Sequence, residues 1–131
     1  MRLAARLPAG SGPTEPIAAV ETAINTRDID ALCAAYDRAA TIVVPLLGRS
    51  AHGHHEIRAA IAPLLDLRPE VVISVTSVLE ADGIALSHGR WTLVIVDGGC
   101  RSELRGLGTT VSRRAVDGTW KIVLDNPMTA P

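Results

Sequence analysis

The stretch EVVISVTSVLEADGIALSHGRWTLVIVDGGCRSELRGLGTTVSRRAVDGTWKIVLDNP, residues 70–127, decides the fold. Three short hairpin signals divide it: Asp82-Gly83, Gly98-Gly99 and Asp117-Gly118. Glycine reaches the positive φ that tight primed turns need, and such turns match the right-handed twist of antiparallel strands. Glu70 to Pro127 therefore predicts four consecutive antiparallel strands.

Three amphipathic helical patterns come before this meander. Thr14 can cap a first helix with Pro16 in its first turn, and Ile17, Val20 and Ile24 recur on one face. Asp28 can cap a second, in which Ile29, Leu32, Cys33 and Tyr36 follow the i, i+3, i+4, i+7 pattern. That places Tyr36 on the buried face with a hydroxyl in need of a partner. Thr41 to Pro45 reads as a short strand, and Gly53 ends a brief extended piece. Ile57, Ile61, Leu64 and Leu65 mark a third helix, kinked or ended near Pro63 because proline lacks a backbone donor. Helices first and a meander last imply an α+β domain whose curved antiparallel sheet wraps three N-terminal helices. The expected organisation is a flexible N-terminal tail at residues 1–13 and one domain at 14–131.

A chain of 131 residues can bury roughly two-thirds of its unfolded surface in one core. Its 47% hydrophobic and 21% charged content is that of a globular protein, and a net charge of -1 gives no basic footprint for nucleic acid. No stretch reaches the ~18 apolar residues of a membrane span, and Met1 to Gly12 has no apolar segment of signal-peptide type. Cys33 and Cys100 show neither metal-ligand spacing nor the density of a disulfide scaffold. The expectation is a bacterial, cytoplasmic protein with reduced thiols and no membrane or nucleic-acid partner. The excess of Arg over Lys reads as coding bias.

Counting back from the turns pairs residue 81 with 84, 97 with 100 and 116 with 119, which sorts the strands into two faces. One carries Val71, Ile73, Val75, Leu79, Leu86, Val94, Leu107, Val111, Trp120, Ile122 and Leu124, together with His88 and Arg90. The other carries Ser74, Thr76, Ser87, Gly89, Trp91, Leu93, Gly106, Gly108, Thr110, Ser112, Val123 and Asp125. A curved face lined by small residues around one Trp reads as a cavity wall, and a single bulge would exchange the faces locally. The greasier face is expected to form a homodimer, since Val71, Ile73, Val75, Leu86, Val111, Ile122 and Leu124 would otherwise leave a large apolar patch in water.

Three segments carry a resemblance: Tyr36-Asp37-Arg38-Ala39-Ala40-Thr41 running to Pro45, Gly53 to Arg58, and Asp117-Gly118-Thr119-Trp120-Lys121-Ile122. With these the chain, over about residues 15 to 127, resembles the nuclear transport factor two-like superfamily. That superfamily includes ketosteroid isomerase, SnoaL-like polyketide cyclases and limonene epoxide hydrolase, and the subgroup nearest in character is that of the SgcJ and EcaC proteins. The resemblance implies a cone-shaped, cystatin-like roll with a central pocket. Matched residue by residue, the isomerase's general base falls at Val44, its oxyanion-hole acid at Thr110 and its oxyanion tyrosine near Val20. Steroid isomerisation needs a base and strong donors, so it is not expected here. SnoaL-like cyclases project an acidic residue into this cavity, which makes Asp125 the catalytic candidate. A lone carboxylate among apolar groups has a raised pKa suited to a base. The expected pocket is Val20, Tyr36, Val44, Ile61, Trp91, Gly108, Thr110 and Val123 around Asp125.

Other constellations are weaker. His52, His54, His55 and Glu56 are ligand types, but successive residues at a helix start point in different directions, so no metal is expected. No dinucleotide fingerprint occurs, and no cofactor is expected. His88 falls on the face opposite Asp125, and neither cysteine has a base partner. Three functions remain: a binding module for a small apolar molecule; a cyclase, isomerase or hydrolase using Asp125 as base with Thr110 or Tyr36 as its hydrogen-bond partner; or a structural dimer whose pocket is filled by its own side chains.

Overall fold

The computed structural model describes residues 12–45 and 47–129. Most of the expected tail, residues 1–11, lies outside the described residues. The elements run α1 (Glu15–Thr26), α2 (Ile29–Ala34), β1 (Tyr36–Val43), β2 (Ser50–His52), α3 (Gly53–Asp66), β3 (Glu70–Ala81), β4 (Ile84–Asp97), β5 (Cys100–Arg114) and β6 (Trp120–Thr129). All six strands form one sheet in the order β2-β1-β6-β5-β4-β3. The expected meander is antiparallel throughout, but β1 joins it parallel to β6, so the sheet is mixed.

Local chemistry explains most element ends. Asp28 Oδ1 accepts the backbone N–H of Ala31 at 3.0 Å and starts α2. Thr14 makes no side-chain cap; Gly12 supplies a backbone carbonyl to Glu15 instead. Helix α2 stops at Ala34, so Tyr36 begins β1 rather than extending a helix, although it is buried as expected. Pro63 does not end the helix: α3 runs on to Asp66 with Pro63 inside it. Pro63 and Ala59 are both exposed, so the carbonyl that loses its helical donor faces water. Gly53, at φ +81, turns the chain from β2 into α3.

Helix α1 lies against the edge strand β3 and uses side chains as a substitute strand. Asn25 donates to the Val71 carbonyl at 2.9 Å and accepts from the Val71 N–H at 2.7 Å, while Glu21 accepts from the Ile73 N–H at 2.7 Å. These bonds satisfy backbone groups that an open edge would leave free. Between helices and sheet sits an aliphatic core that includes Ala23, Leu32, Ala40, Ile42, Ile57, Ile61 and Ile122. Lys121 reaches from β6 to the Ala34 carbonyl at the end of α2, at 2.6 Å.

Two bulges correct the faces read from the sequence. The turns at 82–83 and 98–99 pair as expected, but the β3–β4 register shifts between Val75 and Ser77, leaving Thr76 as the extra residue. Val71, Ile73 and Val75 therefore pair with Leu93, Trp91 and Gly89 and line the interior; Ser74 takes the outer face. In the last hairpin Arg114 pairs with Trp120, one residue off the expected register, and Val123 is a compensating extra residue. Trp120 and Ile122 are thereby buried, and neither Val71, Ile73 nor Ile122 is available to a dimer face. What remains outside is a straight row across four strands, Leu79–Leu86–Val111–Leu124. Leu79 is 70% exposed and Leu124 53%. Among the described residues no helix is long and apolar enough to cross a membrane.

Candidate functional site

One residue away from that outer row, on the concave side, Ser87 pairs with Thr110 and Thr110 with Asp125. Asp125 sits on β6, flanked by Ile42 of β1 and Thr110 of β5, at the middle of the sheet. Its carboxylate takes two hydrogen bonds: Tyr36 Oη donates to Oδ2 at 2.8 Å, and Thr110 Oγ1 donates to Oδ1 at 3.2 Å. Burial pushes the Asp125 carboxyl up to about 6, and the bonds from Tyr36 and Thr110 hold it lower than burial alone would. Burial and the adjacent carboxylate raise the Tyr36 phenol well above its ordinary value, so the phenol stays a donor.

Around this cluster lies a cavity of about 120 Å³. Its apolar wall comes from α1 (Ile17, Val20, Ile24), α3 (Ile61, Leu64), β3 (Val71, Ile73, Val75) and the sheet beyond. Of the expected pocket residues, Val20, Tyr36, Ile61, Trp91, Gly108, Thr110 and Asp125 line it. Val44 and Val123 do not. Val44 is packed into the core, and the wall there is Val43 and Pro45; Val123 is the extra residue of the β6 bulge. The sequence places Val71, Ile73 and Val75 on the outer face, and the bulge that turns them inward carries no mark at β-branched Thr76.

Trp91 explains the glycines opposite it. A Cβ at Gly106 would clash with the Trp91 ring, so the indole rests against that backbone. Its Nε1 donates to the Pro127 carbonyl at 2.7 Å, fixing the ring across β5 toward β6. Part of the volume expected to be open is therefore filled by Trp91, and the rest is the cavity. The histidines are dispersed: His52 Nδ1 lies 2.9 Å from Thr41 Oγ1, His54 Nε2 lies 2.8 Å from the Tyr36 carbonyl, and His55 is exposed. His88 is exposed, with Nδ1 3.3 Å from Thr109 Oγ1. Among the described residues, no group of three His, Cys, Asp or Glu side chains could hold a metal ion. Cys33 is buried, which raises its thiol, and Cys100 is exposed at a hairpin tip.

The family model for the SnoaL-like domain matches residues 17–123. The chain belongs to the SnoaL-like domain family. Solved structures agree with this SnoaL-like domain in fold. A ketosteroid isomerase-like protein from Erwinia carotovora atroseptica is 16% identical, with 87% of this chain and 90% of that one covered at a TM-score of 0.77. An NTF2-like protein of unknown function from Shewanella oneidensis MR-1 is 20% identical, with 88% and 95% covered at 0.72. A protein with a cystatin-like fold from Nostoc punctiforme is 16% identical, with 90% and 88% covered at 0.75. No curated protein sequence matches this SnoaL-like domain.

Proposed function

We propose that this SnoaL-like domain encloses one small, mostly apolar molecule and does not isomerise steroids. The observation that carries the reading is the cavity of about 120 Å³, mostly apolar, with a hydrogen-bonded cluster at Asp125 and the polar residues Ser87 and His88 on its wall. Apolar cavities of this order accept a molecule of about one six-membered ring. A fused four-ring steroid is much larger than that. Where the isomerase carries a base this chain has Val44, buried in the core, and the isomerase's oxyanion-hole acid is replaced by Thr110, whose proton is committed to Asp125. A thermal-shift series of benzene, naphthalene and a ketosteroid tests this. One-ring compounds should raise Tm and the steroid should not; stabilisation by the steroid alone would overturn it.

A second reading, proton transfer by Asp125, is favoured by one observation: a carboxylate at about 6 inside an apolar cavity. Such a group is mostly ionised at neutral pH yet basic enough to take a proton from a carbon acid. Tyr36 and Thr110 each occupy one lone pair of the carboxylate and leave others free toward the cavity. Activity on any substrate found should rise with pH through about 6 and collapse in Asp125→Asn. We also infer that two copies associate through the outer row Leu79–Leu86–Val111–Leu124, because a contiguous apolar row across four strands is costly to leave in water. A monomeric mass by light scattering at micromolar concentration would overturn that.

A further inference from the structure

Among the described residues, the cavity wall contains one buried polar side-chain group left without a partner. Ser87 is 2% exposed, lines the cavity, and its Oγ has no hydrogen-bond partner among the described residues. Of the other polar side chains on the wall, Tyr36 and Thr110 donate to Asp125, Trp91 Nε1 donates to the Pro127 carbonyl, and His88, which is exposed rather than buried, has Nδ1 3.3 Å from Thr109 Oγ1. A buried hydroxyl without a partner costs stability, and native structures rarely keep one without a reason. Ser112 Oγ is equally unpartnered, but Ser112 lies outside the cavity wall, which makes it an internal control.

Resting on the small-molecule reading above, we propose that Ser87 is a ligand anchor: its hydroxyl donates to an acceptor oxygen on a compact, ring-sized carbonyl compound. The acceptor type follows from proton accounting. Ser87 has one proton to give, so a carbonyl, which brings no proton of its own, satisfies it and leaves nothing unpaired. A hydroxyl or amine on the ligand would introduce a further donor that also needs an acceptor. The register sets the direction of the ligand. Ser87 and Asp125 are separated by the single strand bearing Thr110, about 10 Å between Cα atoms at the usual strand spacing. The carbonyl therefore sits at the β4 side, and the body of the molecule extends along the sheet toward the Asp125 carboxylate. Ser87 is a specificity residue in this arrangement, selecting oxygenated molecules over hydrocarbons of the same shape.

The test compares cyclohexanone with methylenecyclohexane, which differ in C=O against C=CH2. Binding is read from Trp91 fluorescence in a Trp120→Phe background. Cyclohexanone should bind about two- to tenfold more tightly, the worth of one net hydrogen bond. Ser87→Ala should abolish that preference while methylenecyclohexane binds as well as before or better; Ser112→Ala should leave the preference intact. Equal binding of the two probes to the unsubstituted site, or a preference that survives Ser87→Ala, overturns the anchor and leaves the pocket reading standing. Loss of the preference in Ser112→Ala as well would assign it to a shared internal network and also overturn the anchor. If neither probe binds while folding is intact, the pocket reading fails along with it.

Discussion

Two rows of side chains cross this sheet one residue apart and invert the usual rule on both faces. On the concave side, Ser87, Thr110 and Asp125 place polar groups inside an apolar interior. On the convex side, Leu79, Leu86, Val111 and Leu124 place apolar groups toward water. Neither arrangement helps an isolated subunit fold. The inner row bears the desolvation of a carboxylate and an unpaired hydroxyl; the outer row forgoes the roughly 25 cal/mol per Å² that burial would give. The difference teaches where to look for function: each row is a local cost that the rest of the core, with Leu32, Ile57 and Ile122 fully buried, offsets.

The largest expected effect breaks the outer row. Val111→Asp puts an unpaired charge into the inferred dimer contact and should cost about 3–5 kcal/mol of association, converting dimer to monomer in sedimentation or light scattering. The same substitution should leave the monomer's far-UV circular dichroism unchanged. The inner row should respond in the opposite sense. The Asp125 carboxyl is higher in the folded chain than in the unfolded one, so the folded state holds an extra proton between the two values, and stability falls as pH rises from about 3.8 to about 6. At roughly 1.4 kcal/mol per unit, that is about 3 kcal/mol lost above pH 6. Asp125→Asn should therefore stabilise the protein by up to that amount in urea melts at pH 8 and have little effect at pH 4.

Smaller effects sharpen the contrast within the cavity wall. Gly106→Ala would clash with the Trp91 ring and should displace it, costing about 1–3 kcal/mol as an overpacking mutation and changing the indole emission. Gly108→Ala should be nearly silent in stability, because its Cβ meets Pro127 and Trp91 only at ordinary contact distances of 3.5 and 3.8 Å. A Gly108→Ala cost equal to that of Gly106→Ala would mean that Trp91 does not lie where the glycine pattern indicates.

The sequence reads unevenly, for identifiable reasons. The hairpins at Asp82-Gly83 and Gly98-Gly99 are written in turn chemistry, which is local, and they are where expected. The facing of Asp125 and Thr110 was reached through two offsets that cancel: the last turn pairs one residue differently, and Val123 restores the count. The inward position of Val71, Ile73 and Val75 was illegible, since a bulge depends on how two strands twist together and leaves no required residue at Thr76. Tyr36 reads as buried and as a candidate hydrogen-bond partner of Asp125, and the parallel β1–β6 pairing is the long-range step that joins these residues, 89 apart in the chain. Ser87 was visible as a small wall residue; that its hydroxyl lacks a partner depends on every neighbour at once.

The bulge at Thr76 also gives the molecule a length-based control. Because Thr76 is supernumerary in the ladder, deleting it would keep Val75 opposite Gly89 and Ser77 opposite His88, so each retained residue would hold its face. What would change is curvature, since a bulged strand bends and twists more than a regular one. Beside this bulge a Cβ on Gly89 would lie 2.8 Å from the Ser74 carbonyl. A one-residue deletion is thus a way to flatten the wall and resize the chamber without altering any side chain in it. For an engineer, chain length at this point is a dial separate from sequence; for a lineage, single-residue gains and losses here are steps by which chamber shape can drift while its chemistry stays the same.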